Sequence, residues 1–318
     1  MSIVKRIVLS LLPVFLGSEE IGQYVMIPQV IKNALSSNEY EGAEGYSATT
    51  LISPPQLVAL ERKYGKDDKG IKGKLKSFMG TACHNALEKY AEDSSVVELR
   101  VKGEVAGEKV SAQFDHYVDG VLSDHKFTSV YTYIKKDFQK YEEQLNINAY
   151  LAEDEIAITK GGDVVIIHVE KLQINMFFWD WSEAKAEVDK SYPQNEWVVI
   201  DIPLWSREEQ EFFITERALK HASARELEDS DLPPCSDKDR WYDGTKYKCM
   251  KKGNKRSSKN CDSMEEAEEW IAKQKDPKLF EVDEVLGVNK FCLKYCRVSS
   301  KCSQFKKING DGAKNERD

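Results

Sequence analysis

The stretch "SAQFDHYVDGVLSDHKFTS", residues 111–129, constrains the fold of this chain more than any other. Its Asp119-Gly120 pair is the strongest local signal for a β-hairpin, because a two-residue type I′ turn needs positive φ at both central residues and this pair tolerates it. Counting outward from the turn sets Asp115 opposite Asp124. The sequence therefore predicts two antiparallel strands that carry two carboxylates at the same level.

The two strands place polar and apolar side chains on opposite faces, because side chains alternate along a strand. Asp115, Asp124 and Lys126 fall on one face. The other face is predicted to be buried and carries Val110, Ala112, Phe114, Val118, Val121 and Phe127. Directly opposed carboxylates destabilise a sheet, so positive charge is expected between them: Lys126 lies on the same face, and a hard divalent cation would complete the neutralisation. The alternative is that the polar face simply meets solvent, as is usual in antiparallel sheets.

Length and charge limit the classes of protein that this chain can belong to. Its 318 residues suffice for one large domain or two ordinary ones. The net charge of −8 excludes a chain that is basic throughout, so an anionic partner must meet a local basic patch or a bound metal. No apolar run is long enough to span a membrane.

The opening stretch "VKRIVLSLLPVFLGSEE" has the basic start and apolar run of a secretory signal. However, Phe15 would lie three residues before a cut after Gly17, where a small residue is needed. The helical spacing of Val4, Val8, Leu11 and Phe15 instead predicts an amphipathic N-terminal helix.

The order of the remaining segments predicts the fold class. A helix, "GTACHNALEKYAED", precedes three strand-like segments, and a second helix, "KDFQKYEEQLNINAYLAED", precedes further strands. This order is typical of an α+β arrangement with one sheet and flanking helices. We divide the chain into an N-terminal helical segment (1–45), a core (46–220) and a basic, cysteine-rich C-terminal region (221–318).

The C-terminal region has two chemical signals. "KYKCMKKGNKRSSK" contains seven basic residues and no acidic one, which suits either a phosphate-tracking patch or an ordinary solvated face. "FCLKYCRVSSKC" clusters Cys292, Cys296 and Cys302. A Cys₄ zinc site or a [4Fe–4S] cluster needs a fourth thiolate, and these residues alone do not separate the two, or either from unligated thiols in a reducing compartment.

Three segments in this order, "GTACHNALE", "FDHYVDGVLSDHKFTS" and "YEEQLNINAYL", resemble the PD-(D/E)XK nucleases. The resemblance is to the RecB-like branch, in particular to phage nucleases related to the CRISPR-associated Cas exonucleases that carry iron–sulfur clusters. It extends over residues 46–302. It implies a restriction-endonuclease-like core, with a central mixed sheet flanked by helices, followed by a cysteine-rich segment.

The resemblance also implies roles for individual residues. His84, Asp115 and Asp124 would bind Mg²⁺ or Mn²⁺, together with the backbone carbonyl of His125. Lys126 would position the attacking water and help to deprotonate it.

Gln144 lies where the family has a glutamine on a helix, which implies a contact with the DNA backbone or with the site lysine. The family usually has a tyrosine four residues later, but this chain has Asn148. This difference weakens the part of the resemblance that concerns how DNA is positioned.

The resemblance favours an iron–sulfur cluster over zinc and bears on its fourth ligand. In many relatives the first cysteine lies upstream of the core, yet "PPQLVALERKY" contains none. Cys235, in "LPPCSDKDRW", is the best remaining candidate, with Cys249 and Cys261 as alternatives. The cluster would pin the C-terminal segment to the core.

Together these features predict a Mg²⁺- or Mn²⁺-dependent deoxyribonuclease of the exonuclease type. The resemblance implies a phage protein that acts on DNA in recombination, repair or DNA-end processing in the cytoplasm of a bacterial host. A phage recombinase or a single-strand-binding protein is the expected protein partner. The alternatives are a non-catalytic DNA-binding module that retains the nuclease fold, and a zinc-stapled structural protein.

Overall fold

The computed structural model describes residues 29–36, 45–67, 74–254 and 256–309. Residues 1–38 and 39–318 form two separate compact units. In the first, helix α1 spans Gln29–Ser36. The predicted amphipathic helix around Val4 to Phe15 lies outside the described residues. None of the described helices has the length and apolar composition that a membrane span requires.

The second unit contains the remaining elements. Its helices are α2 (Ala48–Leu51), α3 (Pro55–Tyr64), α4 (Lys74–Tyr90), α5 (Val130–Ile134), α6 (Gln139–Ala152), α7 (Glu183–Val188), α8 (Arg207–Arg225), α9 (Asp237–Arg240), α10 (Met264–Ala272), α11 (Lys290–Lys294) and α12 (Ser303–Asn309). Its strands are β1 (Tyr46–Ser47), β2 (Val96–Val105), β3 (Glu108–Val118), β4 (Val121–Thr128), β5 (Ile156–Ile158), β6 (Val164–Ile166), β7 (Lys171–Phe178), β8 (Trp197–Ile202), β9 (Lys246–Lys251), β10 (Ser257–Cys261) and β11 (Phe280–Val285).

The main sheet is mixed and has six strands. Its order is β1-β3-β4-β7-β8, and β2 pairs with β3 outside this path. The β1–β3 and β4–β7 pairs are parallel, whereas β2–β3, β3–β4 and β7–β8 are antiparallel. The α+β class with a central mixed sheet and flanking helices is thus confirmed.

The hairpin between β3 and β4 has the predicted turn. Asp119 and Gly120 have φ of 47° and 77°, as a type I′ turn requires. The ladder pairs Val118 with Val121, Tyr117 with Leu122, and His116 with Ser123, and it ends there. The predicted direct pairing of Asp115 with Asp124 is therefore wrong in detail, because β4 leaves β3 one residue before these carboxylates would meet.

The strands separate because each has another partner. β2 follows β3 over nearly its whole length, so β4 and β1 must share the opposite edge of β3. β4 in turn pairs with β7 along all eight of its residues. Asp115 lies at the gap that this divergence opens.

Helices cover both faces of the sheet at the hairpin. On β4, Lys126 contacts Tyr141 of α6, whereas the ring of His125 lies 6.3 Å from the ring of His84 on α4. Consecutive residues of a strand point to opposite faces, so α4 and α6 lie on opposite sides. The face that carries Asp124 is not solvated, because α6 covers it and leaves Asp124 only 3% exposed. The prediction of a single buried face was wrong for this reason.

A buried histidine anchors α8 to the start of the core. His221 is 2% exposed, and its Nε2 lies 3.1 Å from the carbonyl oxygen of Leu51. Among the described residues its Nδ1 has no hydrogen-bond partner. Burial lowers the pKa of His221 to about 4, because an imidazolium would be poorly solvated there.

We expect His221 to make the protein less stable in mild acid. Its pKa is lower in the folded chain than the usual 6.5, so the unfolded state binds more protons between these values and stability falls as the pH decreases through that window. His221→Gln, which keeps a donor for Leu51, should lose about 2 kcal/mol less than the wild type between pH 7 and pH 5. Urea unfolding at both pH values measures this difference, and equal losses would contradict the assignment.

The C-terminal region contains a small three-stranded sheet of its own. Its order is β10-β9-β11, and α10 packs on one face around Cys249, Cys261 and Ala267. The two ends of this excursion meet at a bridge between Tyr242 and Asn289. The segment before the small sheet and the segment after it therefore lie side by side.

Candidate functional site

One cleft collects the polar residues of β2, β3, α4 and α6. Its volume is about 610 Å³, and His84, Glu98, Asp115 and Gln144 are among the residues that line it. It lies at the gap where β4 diverges from β3. Residues of these four elements line the cleft together with residues of β1 and α2.

Asp115 bridges the diverging strands and contacts the histidine of α4. Its Oδ2 accepts a hydrogen bond of 2.6 Å from the backbone N–H of His125, and its Oδ1 lies 3.5 Å from Nδ1 of His84. Burial alone would raise the pKa of Asp115, but the contact with His84 and the nearby cations outweigh it and lower the pKa. Asp115 is thus an ionised carboxylate at the mouth of the gap.

Asp124 and Lys126 form a buried ion pair on the α6 side. Lys126 Nζ lies 2.5 Å from Asp124 Oδ2, and the Gln144 amide donates to Asp124 Oδ1 at 3.4 Å. Burial raises the pKa of Asp124 to about 6, although the Lys126 ammonium acts in the opposite direction. Burial would lower the pKa of Lys126, but Asp124 reverses this and the net shift is upward.

This protonation state bears on the predicted role of Lys126. A protonated ammonium donates hydrogen bonds and cannot accept a proton. In the chain as it stands, Lys126 can orient a water or an anionic group, whereas the predicted help in deprotonating water would require it to lose its proton first.

Glu98 of β2 belongs to this site and was missed in the sequence. Its Oε1 lies 3.6 Å from Nδ1 of His84, and the ligand atoms of His84, Glu98 and Asp115 lie within 4.8 Å of one another. Hydrogen bonds to Asp115 first, and then to Glu98, raise the pKa of His84 to about 10. The His84 imidazolium therefore provides the positive charge between Asp115 and Glu98, where a metal cation would otherwise be expected.

The backbone of Glu98 is unusual for a strand. Its φ is 49°, a left-handed conformation that costs a non-glycine residue about 1–2 kcal/mol. Strained residues of this kind cluster at functional sites. Counting back from the turn at Ala106 and Gly107, which have φ of 53° and 77°, sets Glu98 opposite Asp115, so a register count could have found it.

A tyrosine lies beside Lys126, but not at the expected position. Asn148 is fully buried and donates to the backbone oxygen of Gln113 at 3.4 Å, so it does not take that role. The ring of Tyr141, one turn before Gln144 on α6, lies 5.6 Å from Lys126 Nζ. Tyr141 therefore lies on the N-terminal side of Gln144, whereas the resemblance places a tyrosine on its C-terminal side.

A second constellation forms around the cysteines. Cys235, Cys292, Cys296 and Cys302 line one cavity together with apolar side chains of α3, α11 and α12. Burial raises the pKa of Cys235 to about 12 and that of Cys292 to about 11. The bridge between Tyr242 and Asn289 explains why Cys235 lies near the three later cysteines, because it brings the chain after the small sheet back to the chain that follows Cys235.

The upstream segment that lacks a cysteine reaches the same cavity. Gln56 of α3 is 2% exposed, and its Oε1 lies 3.8 Å from the Cys302 sulfur. The alternative candidates Cys249 and Cys261 lie elsewhere, buried in the small sheet with their sulfurs 4.0 Å apart. Of the three candidates for a fourth ligand, Cys235 is the one that lines the same cavity as Cys292, Cys296 and Cys302.

The basic run in "KYKCMKKGNKRSSK" is less basic in three dimensions than in sequence. Lys246 forms an ion pair with Asp262 at 2.5 Å, and Lys259 forms one with Glu266 at 3.4 Å. Lys248 lies directly opposite Asp283 across the β9–β11 pair. Asp262, Glu266 of α10 and Asp283 of β11 thus offset part of the predicted phosphate-tracking patch.

Comparisons with known proteins add little to this geometry. No protein-family model and no curated protein matches the sequence. Among solved structures, the chain is similar to one titled "Crystal structure of SSO0001", with a TM-score of 0.40 and 16% identity, over 60% of this chain and 83% of that chain. A TM-score of this size does not assign the chain to a fold family.

Proposed function

We propose that this protein is a metal-dependent deoxyribonuclease with a PD-(D/E)XK core. The observation that carries the proposal is the arrangement in one cleft of His84, Asp115 and Glu98, next to the buried pair of Asp124 and Lys126. These residues come from elements that are distant in sequence. Burying a charged pair is costly, so its presence beside an open cleft favours a role in chemistry over a role in stability.

The donor set fits a hard divalent cation. It offers carboxylate oxygens and one imidazole nitrogen, which suit Mg²⁺ or Mn²⁺. His84, Glu98 and Asp115, whose ligand atoms lie within 4.8 Å of one another, would hold the ion. Asp124 does not belong to that set and contacts Lys126 and Gln144 instead, so it and the carbonyl of His125 would be further ligands. Such a cation would neutralise phosphate charge and acidify a water bound to it.

The chain's own residues would perform the remaining tasks. Lys126, held against Asp124, would donate a hydrogen bond to the scissile phosphate or the attacking water and so stabilise the charge that develops in the transition state. Gln144 would fix the Asp124 carboxylate, which its amide contacts. Tyr141 would shield the lysine from solvent on the α6 side.

We further propose that Cys235, Cys292, Cys296 and Cys302 hold a [4Fe–4S] cluster. In a tetrahedral zinc site with 2.3 Å Zn–S bonds, the sulfurs lie about 3.8 Å apart. Within the described part of the chain, the group at His84 is the one set of three potential ligands within 4.8 Å, so no three cysteine sulfurs approach that closely. The four thiols therefore do not form a ready-made tetrahedral zinc site, and the resemblance to cluster-bearing nucleases favours a [4Fe–4S] cluster, in which each thiolate binds a different iron. Arg240, which lines the cavity, would offset its negative charge.

Cleavage of DNA labelled at one end tests the function. We expect cutting of single- or double-stranded DNA with Mg²⁺ or Mn²⁺ and none with EDTA. Release of single labelled nucleotides would indicate the exonuclease action that the family resemblance implies. DNA binding without cleavage under any metal would instead favour the non-catalytic DNA-binding module.

Glu98→Gln should weaken Mn²⁺ binding by about tenfold, because it removes one of the charges that converge on His84. The matched control is Glu104→Gln, which changes an exposed glutamate on the same strand. Isothermal titration with Mn²⁺ measures both. Equal affinities for the two variants would exclude Glu98 from the metal site.

A further inference from the structure

Two aromatic side chains are exposed next to the cysteine cavity. Trp241 is 49% exposed and Tyr295 is 53% exposed, with their ring centroids 5.1 Å apart. Phe291 lies behind them, 5.4 Å from Trp241 and 6.4 Å from Tyr295, and it also lines the cysteine cavity. We call these three residues the aromatic platform. Its outer rings meet solvent and its inner ring is fixed to the core.

Two of the three platform residues, Phe291 and Tyr295, lie in a stretch of the chain that is rich in basic residues. Residues 286–309, which we call the basic segment, contain six lysines and arginines and no acidic residue, in a protein of net charge −8. All six are exposed: Lys290, Lys294, Arg297, Lys301, Lys306 and Lys307. Among them, Lys290 forms an ion pair with Asp243 at 3.0 Å. The segment contains no acidic residue of its own, so it contributes six exposed cations around Phe291 and Tyr295.

The platform is connected to the catalytic cleft through α9. Trp241 directly follows α9, and Lys238 of that helix contacts Asp137 and Gln139 at 3.1 and 2.8 Å. Gln139 begins α6, whose next turns present Tyr141 to Lys126 and Gln144 to Asp124. A strand that leaves the cleft along the start of α6 would thus reach the platform.

We propose that the aromatic platform and the basic segment bind single-stranded DNA outside the catalytic cleft. Exposed rings stack on unpaired bases of any sequence, and cations beside them follow the phosphates. In a duplex the bases stack on one another, so the rings would have no free faces to contact. The inference rests on the proposed nuclease function, since it assigns the path of that enzyme's substrate.

The test measures binding in EDTA, so that it does not depend on catalysis. The probe is fluorescein-labelled oligo(dT) of about 20 nucleotides, followed by fluorescence anisotropy with anaerobically prepared protein. Trp241→Leu and Tyr295→Leu should each weaken binding about tenfold, because each removes one stacking surface. Tyr295→Phe keeps the ring and should bind like the wild type. Trp197→Leu, at another exposed tryptophan, should also leave binding unchanged.

A second measurement does not rely on the aromatic variants folding normally. Changing Lys306 and Lys307 together to glutamine should reduce the slope of log affinity against log salt by about 1.4 for single strands. The same changes at Lys251 and Lys252, in the β9–β10 hairpin, should leave the slope unchanged.

Several results would overturn the proposal. These are unchanged oligo(dT) binding in both leucine variants, an equal loss for a duplex of the same length, or an equal change of slope in the hairpin variant. Wild-type protein that binds no oligo(dT) would also overturn it and would favour a protein partner for this surface. Leucine variants that lose oligo(dT) binding but still cleave short DNA would support a binding surface that is separate from the active site. Wild-type protein that binds oligo(dT) through the platform but cleaves no DNA would contradict the nuclease proposal and leave the platform proposal intact.

Discussion

Lys126→Met should lower the rate of DNA cleavage by about 10³-fold while DNA binding in EDTA persists. Methionine keeps most of the aliphatic stem of lysine but removes the ammonium that lies 2.5 Å from Asp124. The charge that stabilises the transition state is lost, and Asp124 also loses the cation that opposes the upward shift of its pKa. Single-turnover cleavage of end-labelled DNA, with saturating Mn²⁺, measures the chemical step.

The control for this prediction is Lys102→Met. Lys102 is an exposed lysine on β2 of the same sheet and lies outside the cleft. The Lys102→Met variant should cleave DNA at the wild-type rate. If Lys126→Met cleaves as fast as the control, Lys126 takes no part in the chemistry and the nuclease assignment of the hairpin fails.

Cys235→Ser should remove most of the iron and acid-labile sulfide from anaerobically purified protein. The four thiols around one apolar cavity are the ligands that we assign to the cluster, and the loss of one leaves an iron without its thiolate. The cluster would tie the segment around Cys235 to the C-terminal segment, next to apolar residues of α3 and α8, so we also expect the unfolding temperature to fall by roughly 10 °C. Iron, sulfide and zinc analysis together with thermal unfolding measure both effects.

Cys249→Ser separates the two candidate ligands, since Cys249 was an alternative to Cys235 and lies in the small sheet. The Cys249→Ser variant should retain the iron. Iron retained in Cys235→Ser but lost in Cys249→Ser would reverse the assignment. Zinc in place of iron in the wild type would refute the cluster and leave a Cys₄ zinc site.

Much of the hairpin could be predicted because its determinants are local. Asp119 and Gly120 impose their own backbone angles, and these fix the first three cross-strand pairs next to the turn. The prediction failed at the fourth pair. There, β7 determines the course of β4, and β7 lies more than 40 residues further along the chain.

The burial of the carboxylates could not be predicted for a similar reason. A strand pattern distinguishes two faces, but it does not indicate whether a helix covers the second one. The packing of α6 against β3 and β4 makes Asp124 a buried residue, and no spacing within the hairpin encodes that packing.

The sequence by itself determined the turn, the α+β order of elements, and the spacing of Cys292, Cys296 and Cys302, because each depends on neighbouring residues. Only the tertiary structure decided that Glu98 joins His84, that Cys235 joins the other cysteines, and that acidic neighbours offset the basic hairpin. These outcomes depend on which distant segments pack together. That choice follows from the burial of the whole apolar core, which no single motif contains.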